Sequence, residues 1–142
     1  MRIGPSIGHI TKEVEAHMLN GRTAFSGYST NDIPKAKAFY ADTLGLNVSE
    51  GNGDLNITFP NGHAVFIYPK GDDHQPATYT ALNIEVDDID AAVDALVAKG
   101  VTFERYPEMT GQDERGIMRD EGPAIAWFKD PAGNILSLIK TS

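Results

Sequence analysis

The 142-residue chain contains no cysteine. This removes disulfides, thiolate metal sites and a cysteine nucleophile from consideration, and it fits a reducing, cytoplasmic setting. Basic residues are scarce: 12 Lys and Arg against 20 Asp and Glu leave a net charge of −8 and a pI near 4.8. Nucleic acid and anionic membranes both reward a basic face, so neither is an expected partner. There is no apolar run of the roughly 20 residues that a bilayer span requires. A basic head followed by an apolar stretch, the mark of a secretory leader, is also missing from the first residues. What remains is an ordinary globular composition, 41% hydrophobic and 23% charged, at a length that suits one compact domain.

Within that domain a pattern occurs twice. Asp32-Ile33, a helical run, Gly45 and a β-like run from Leu46 are echoed by Asp88-Ile89, a helical run, Gly100 and a β-like run from Val101. Each unit closes on a hairpin signal, Asn61-Gly62 in the first and Asp130-Pro131-Ala132-Gly133 in the second. Strands are expected at 23–29, 46–50, 55–59 and 64–68, then at 78–86, 101–105, 124–128 and 135–139. Asn31 or Asp32 caps the first helix, with Pro34 in its first turn where no N–H is needed. Asp87 or Asp88 caps the second. Residues 1–21 stand outside the repeat as an N-terminal extension, with Ile10, Val14 and Met18 at helical spacing. The domain then runs over 22–142, module one over 22–70 and module two over 77–142, joined by the polar stretch 70–76. The order βαβββ, repeated, predicts an α+β fold in which helices cover one face of a curved mixed sheet and the other face is concave.

The elements Ala38-Phe39-Tyr40…Leu44-Gly45-Leu46, Glu85-Val86-Asp87-Asp88-Ile89 and Phe128-Lys129-Asp130-Pro131-Ala132-Gly133-Asn134 resemble the vicinal oxygen chelate superfamily. That superfamily includes glyoxalase I, bleomycin resistance proteins and extradiol dioxygenases. The resemblance spans about residues 23 to 140 and implies a pocket inside the curved sheet. It also implies a homodimer and, in metal-dependent members, ligands on the first and last strand of each unit. Counted from the capping aspartates and the turn glycines, those positions are Phe25, Phe66, Ala81 and Ser137 here. None suits a divalent ion, which wants imidazole or carboxylate donors, so no metal and no cofactor are expected.

Period-two alternation then assigns faces. Phe25, Phe66, Tyr68, Ala81, Asn83, Glu85 and Ser137 point inward, and Trp127 follows the loop that borders the pocket. This lining is apolar and aromatic with a few polar points, which suits a small organic ligand. The plain alternative is that Phe25 and Phe66 simply fill the space. Glu85 is a possible acid or base, or else a strand-end carboxylate in water. Residues 109–122 read as a lid-like loop whose Arg115 and Arg119 either meet an anionic ligand group or sit in solvent. His63 and His74 read as exposed turn histidines. The expected function is metal-independent binding of a small organic molecule, as in the bleomycin resistance branch. The alternative is a glyoxalase-like lyase or another small-molecule enzyme of the superfamily.

Overall fold

A computed structural model describes residues 23–120 and 122–141; the expected N-terminal extension lies outside the described residues. The α+β architecture predicted from the repeat is present, as two separate mixed sheets. Module one contributes β1 (Ser26–Thr30), β2 (Asn47–Gly51), β3 (Asp54–Thr58) and β4 (Ala64–Pro69), ordered β1-β4-β3-β2. Module two contributes β5 (Thr80–Glu85), β6 (Ala124–Lys129) and β7 (Ile135–Lys140), ordered β5-β7-β6. In each sheet the first strand pairs in parallel with the last, and the remaining pairs are antiparallel.

Helix α1 (Ile33–Lys37) starts where Asp32 accepts a hydrogen bond from the Lys35 amide at 3.0 Å, and Pro34 occupies its first turn. Helix α2 (Ile89–Ala98) is capped in the same way by Asp88, through the Ala91 amide. One expected feature differs. Beyond Lys37 the first helix widens into a π-helical stretch, Ala38–Thr43, and the Leu44 amide bonds back five residues to Phe39. The wider turn coincides with two consecutive side chains reaching module two. Phe39 meets the Phe128 ring at 6.3 Å, while the Tyr40 hydroxyl donates to Asp130.

The expected strand at 101–105 is reduced to a single bridge between Phe103 and Phe128. The Gln112 side chain explains this. Its amide donates to the Glu104 and Gly116 carbonyls and its oxygen accepts from the Tyr106 amide, so a side chain does what a neighbouring strand would do. Module two's sheet therefore has three strands where module one's has four.

Alternation along the strands builds the core between sheets and helices. Tyr28, Leu55, Ile57, Val65 and Ile67 from module one and Leu82, Phe128, Leu136 and Leu138 from module two are buried in one cluster with Ala36, Tyr40, Ile89 and Val93. Each buried Val, Leu, Ile or Phe among them contributes about 1.5–3 kcal/mol by leaving water. Among the described residues no helix is long and apolar enough to cross a membrane.

A polar network crosses the seam between the modules. The Asp130 carboxylate, 5% exposed, accepts from the Ala132 and Asn134 amides, the Asn134 side chain and the Tyr40 hydroxyl. Because Tyr40 gives its proton to Asp130, its oxygen accepts from Tyr28 at 2.7 Å. Burial pushes both phenols well above the usual tyrosine range, so both stay protonated donors. Asn134 also donates to the Ser29 carbonyl and accepts from the Ala77 amide. Gly133, at φ +85°, makes the turn, and a Cβ there would press on Pro76 at 3.2 Å.

His74 is half-buried in the same seam, which corrects the exposed reading. The Ala132 carbonyl can only accept, so Nε2 carries the proton and donates to it at 2.9 Å. Nδ1 then accepts from the Ser29 hydroxyl at 2.8 Å. Tyr40→Phe leaves a buried carboxylate short of one donor and Tyr28 short of an acceptor. Urea denaturation should show a loss of about 1–3 kcal/mol with an unchanged m value.

Candidate functional site

The faces turned away from the helices stay partly accessible. On β4, Val65 and Ile67 are fully buried, while Ala64, Phe66 and Tyr68 between them are half-exposed. On β7, Leu136 and Leu138 go into the core, while Ile135 and Ile139 stay half-exposed on the other face. The strand registers make these faces equivalent. Phe66 sits opposite Gly27 of β1, and Ser137 sits opposite Asn83 of β5. The absence of a Gly27 side chain matters, since a Cβ there would lie 3.2 Å from the Phe66 carbonyl and 3.7 Å from the Tyr68 ring.

The structure brings the sequence-derived residues together in groups. Phe25, Phe66 and Tyr68 form an aromatic row: Phe25 meets Phe66 edge-on at 6.3 Å, and Phe66 stacks on Tyr68 at 5.8 Å. Phe25 is 68% exposed, so it does not fill a cavity. Across module two, Asn83, Ser137 and Trp127 lie in one row, and the buried Ser137 hydroxyl donates to the Asn83 side chain at 2.6 Å. Ala81 falls in a register irregularity between Thr80 and Leu82. It is half-buried against the core, and the residue that meets Trp127 is Thr80, whose hydroxyl accepts from the indole N–H at 3.2 Å. Glu85 is exposed at the end of β5 and accepts from the Thr141 hydroxyl.

Three hollows border these rows. One of about 330 Å³ lies at the module seam beside Ser29, Tyr68, Lys70, Gln75 and Tyr79. A second, about 410 Å³, lies between the 59–63 turn and the Asn83 and Glu85 side of β5. A third, about 290 Å³, opens beside Trp127 and takes in Tyr79, Tyr106 and Met109. Tyr106 falls on no strand, where alternation says nothing, and Tyr79, inside the expected strand 78–86, stands just before β5 begins at Thr80.

The loop at 109–120 is not a free lid. Ile117 is fully buried and Met118 bridges to both Gln112 and Ile125. Arg115 and Arg119 do not face a ligand site: Arg115 pairs with Asp90 and Asp94 of α2, and Arg119 pairs with Asp90. The Asp90 carboxyl is held below the usual aspartate range, chiefly by the hydrogen bond from Arg119 and then that from Arg115.

Metal-dependent chemistry of the kind the resemblance brings to mind needs donors that this face does not have. Phe25, Phe66 and Ala81 offer only carbon, and the Ser137 hydroxyl is already committed to Asn83. Among the described residues no three His, Asp or Glu side chains group so as to hold an ion. The described residues of these faces do not fit a divalent cation.

A family model described as the Glyoxalase/Bleomycin resistance protein/Dioxygenase superfamily matches residues 6–138. Among solved structures, TnmS3, an antibiotic binding protein from Streptomyces sp. CB03234, superposes with a TM-score of 0.67 at 22% identity, covering 89% of this chain and 100% of its own. A member of the same superfamily from Sphaerobacter thermophilus gives a TM-score of 0.65 at 26% identity, covering 86% and 98%. The oxidase ChaP-H2 gives 0.64 at 24%, covering 87% and 95%. No curated protein matched the sequence.

Two outcomes are expected. Protein purified without chelator should carry far less than one Mn, Fe, Ni or Zn per chain by elemental analysis; a full equivalent would refute the donor argument. The second concerns Asp90, whose folded pKa is depressed. Its contribution is present above the unfolded value of about 3.9 and is lost as pH falls through the lower folded value. Asp90→Asn should thus speed amide exchange across 109–120 at pH 7, and the difference from wild type should vanish at strongly acid pH.

Proposed function

Because the chain belongs to the Glyoxalase/Bleomycin resistance protein/Dioxygenase superfamily, we propose that it binds a small, partly aromatic organic molecule against its inner faces without the help of a metal. One observation carries this reading: an aromatic lining is left accessible, Phe25 largely exposed and Phe66, Tyr68 and Trp127 partly so, while the alternate residues of β4, β6 and β7 are buried. Exposed aromatic surface of this kind gains free energy when a ligand covers it, by roughly 25 cal/mol per Å². Asn83 supplies a polar point at the second hollow, steadied by Ser137. Ala81 serves as backing to the face. Glu85 sits at the rim, and its exposure favours a contact in water over proton transfer.

The fold is shared with proteins described as an antibiotic binding protein and as an oxidase, so fold alone leaves binder and enzyme both open. The side chains favour the binder. The hydroxyl–imidazole pair at the seam hollow, Ser29 and His74, is held by the Ala132 backbone carbonyl and not by an orienting carboxylate. We place the working form as a homodimer in which a second copy closes over each partly accessible face.

Trp127 is the only tryptophan and lies on the inner face, so its fluorescence reports occupancy directly. Titration with planar aromatic compounds should change that signal and raise Tm by mass action. Phe66→Ala should weaken binding about tenfold, equivalent to about 1.4 kcal/mol of lost ring contact. A broad aromatic library giving neither signal would sink the proposal. Solution scattering should return twice the 15.4 kDa chain mass.

A further inference from the structure

We propose that the hollow beside Trp127 is a subsite for an organic cation, receiving the substituted-ammonium end of a ligand whose ring part lies on the inner face. The inference deepens the binding reading and rests on it. The hollow, about 290 Å³, is walled by Tyr79, Tyr106 and Trp127, and Met109, Ile135, Glu108 and two threonines also line it. Tyr106 and Trp127 meet at 5.6 Å and 71°, so their rings form two walls of a corner. Tyr79 is 69% exposed and free to close on a guest. Ring faces are electron-rich, and several together favour a cation over a neutral group of the same shape.

Three further observations point the same way. The indole N–H is already given to Thr80, so what Trp127 offers a guest is its π face. Tyr106 is fixed in place: its amide donates to Gln112 at 2.7 Å and its carbonyl accepts from the Met109 amide at 2.8 Å. Glu108 is the one charged side chain in the lining, and among the described residues it has no ion pair or hydrogen bond.

The surroundings are acidic as well. Burial first, then the Glu104 and Glu108 carboxylates, push the Tyr106 phenol upward, which reports negative potential at the hydroxyl. The neighbouring cations are engaged elsewhere, Lys129 with Glu104 at 3.8 Å and Arg105 with the Glu114 carbonyl. An anionic guest would face a carboxylate and three electron-rich rings. A net charge of −8 adds long-range attraction for a cation.

The test uses the full chain and three probes of similar shape: phenyltrimethylammonium, tert-butylbenzene and 4-tert-butylbenzoate. Calorimetry and Trp127 fluorescence should show the cation bound about tenfold more tightly than the neutral compound, with the anion weakest. Glu108→Gln should reduce the cation's affinity by about threefold, an exposed carboxylate being partly screened, and leave the neutral probe unchanged. Tyr106→Leu should remove most of the remaining preference; if it does not fold, Tyr79→Leu on the exposed ring replaces it. Equal or tighter binding of tert-butylbenzene overturns the subsite and leaves the aromatic-binding reading standing. Failure of all three probes also overturns the subsite, whereas only a silent aromatic library overturns the reading beneath it.

Discussion

The buried carboxylate of Asp130 organises much of what this chain does. A carboxylate removed from water is costly unless every acceptor position is filled, and here four donors converge on it. Two of them are backbone amides of its own turn, which shape the last hairpin. A third is the side chain of Asn134, itself tied to Ser29 of module one. The fourth is Tyr40, from the π-helical stretch of module one. Satisfying one charge therefore requires the hairpin, the widened helix and the first strand to be in register together. His74 adds a second tie between Ser29 and the same turn.

This arrangement keeps the residues that join the modules apart from those of the inner faces. The residues that hold the modules together, Tyr28, Tyr40, Asp130 and Asn134, all lie on the core side or in the seam. None of these four is drawn from the inner faces, and Ser29 at the end of β1 is a further tie across the seam. The inner faces are thus free to differ in chemistry without weakening the fold. Such freedom explains how one architecture serves an antibiotic binding protein and an oxidase alike. In this chain, positions where metal-dependent relatives are expected to place donors hold Phe25, Phe66, Ala81 and Ser137. The aromatic row that results is the basis of the binding proposal, and the Trp127 hollow gives it a chemical polarity.

Much of the fold was legible because it depends on local rules. The caps at Asp32 and Asp88, the turn glycine at 133 and the alternation of β4 and β7 each involve residues close in the chain, where spacing and φ preference decide the outcome. The faces of Phe66, Asn83 and Ser137 followed from that alternation. The misreadings were non-local. Gln112 displaced an expected strand by bonding to backbone eight residues away, and no period of hydrophobicity records such a bond. The irregularity at Ala81 moved Thr80 beside Trp127, and one inserted residue is invisible to a period of two. Arg115 and Arg119 found partners on α2, 21 to 29 residues away, so their charges told nothing of their use.

By itself the sequence determined the βαβββ order of module one, the capped helices, the hairpins and the lack of metal donors at Phe25, Phe66 and Ala81, because composition and short-range stereochemistry suffice for each. Only the tertiary structure decided that His74 is a tie and not a surface residue, that the arginines are spent on α2, and that Tyr79, Tyr106 and Trp127 surround one hollow. Those outcomes depend on which distant groups meet, and a side chain's partner is chosen by packing across the whole chain.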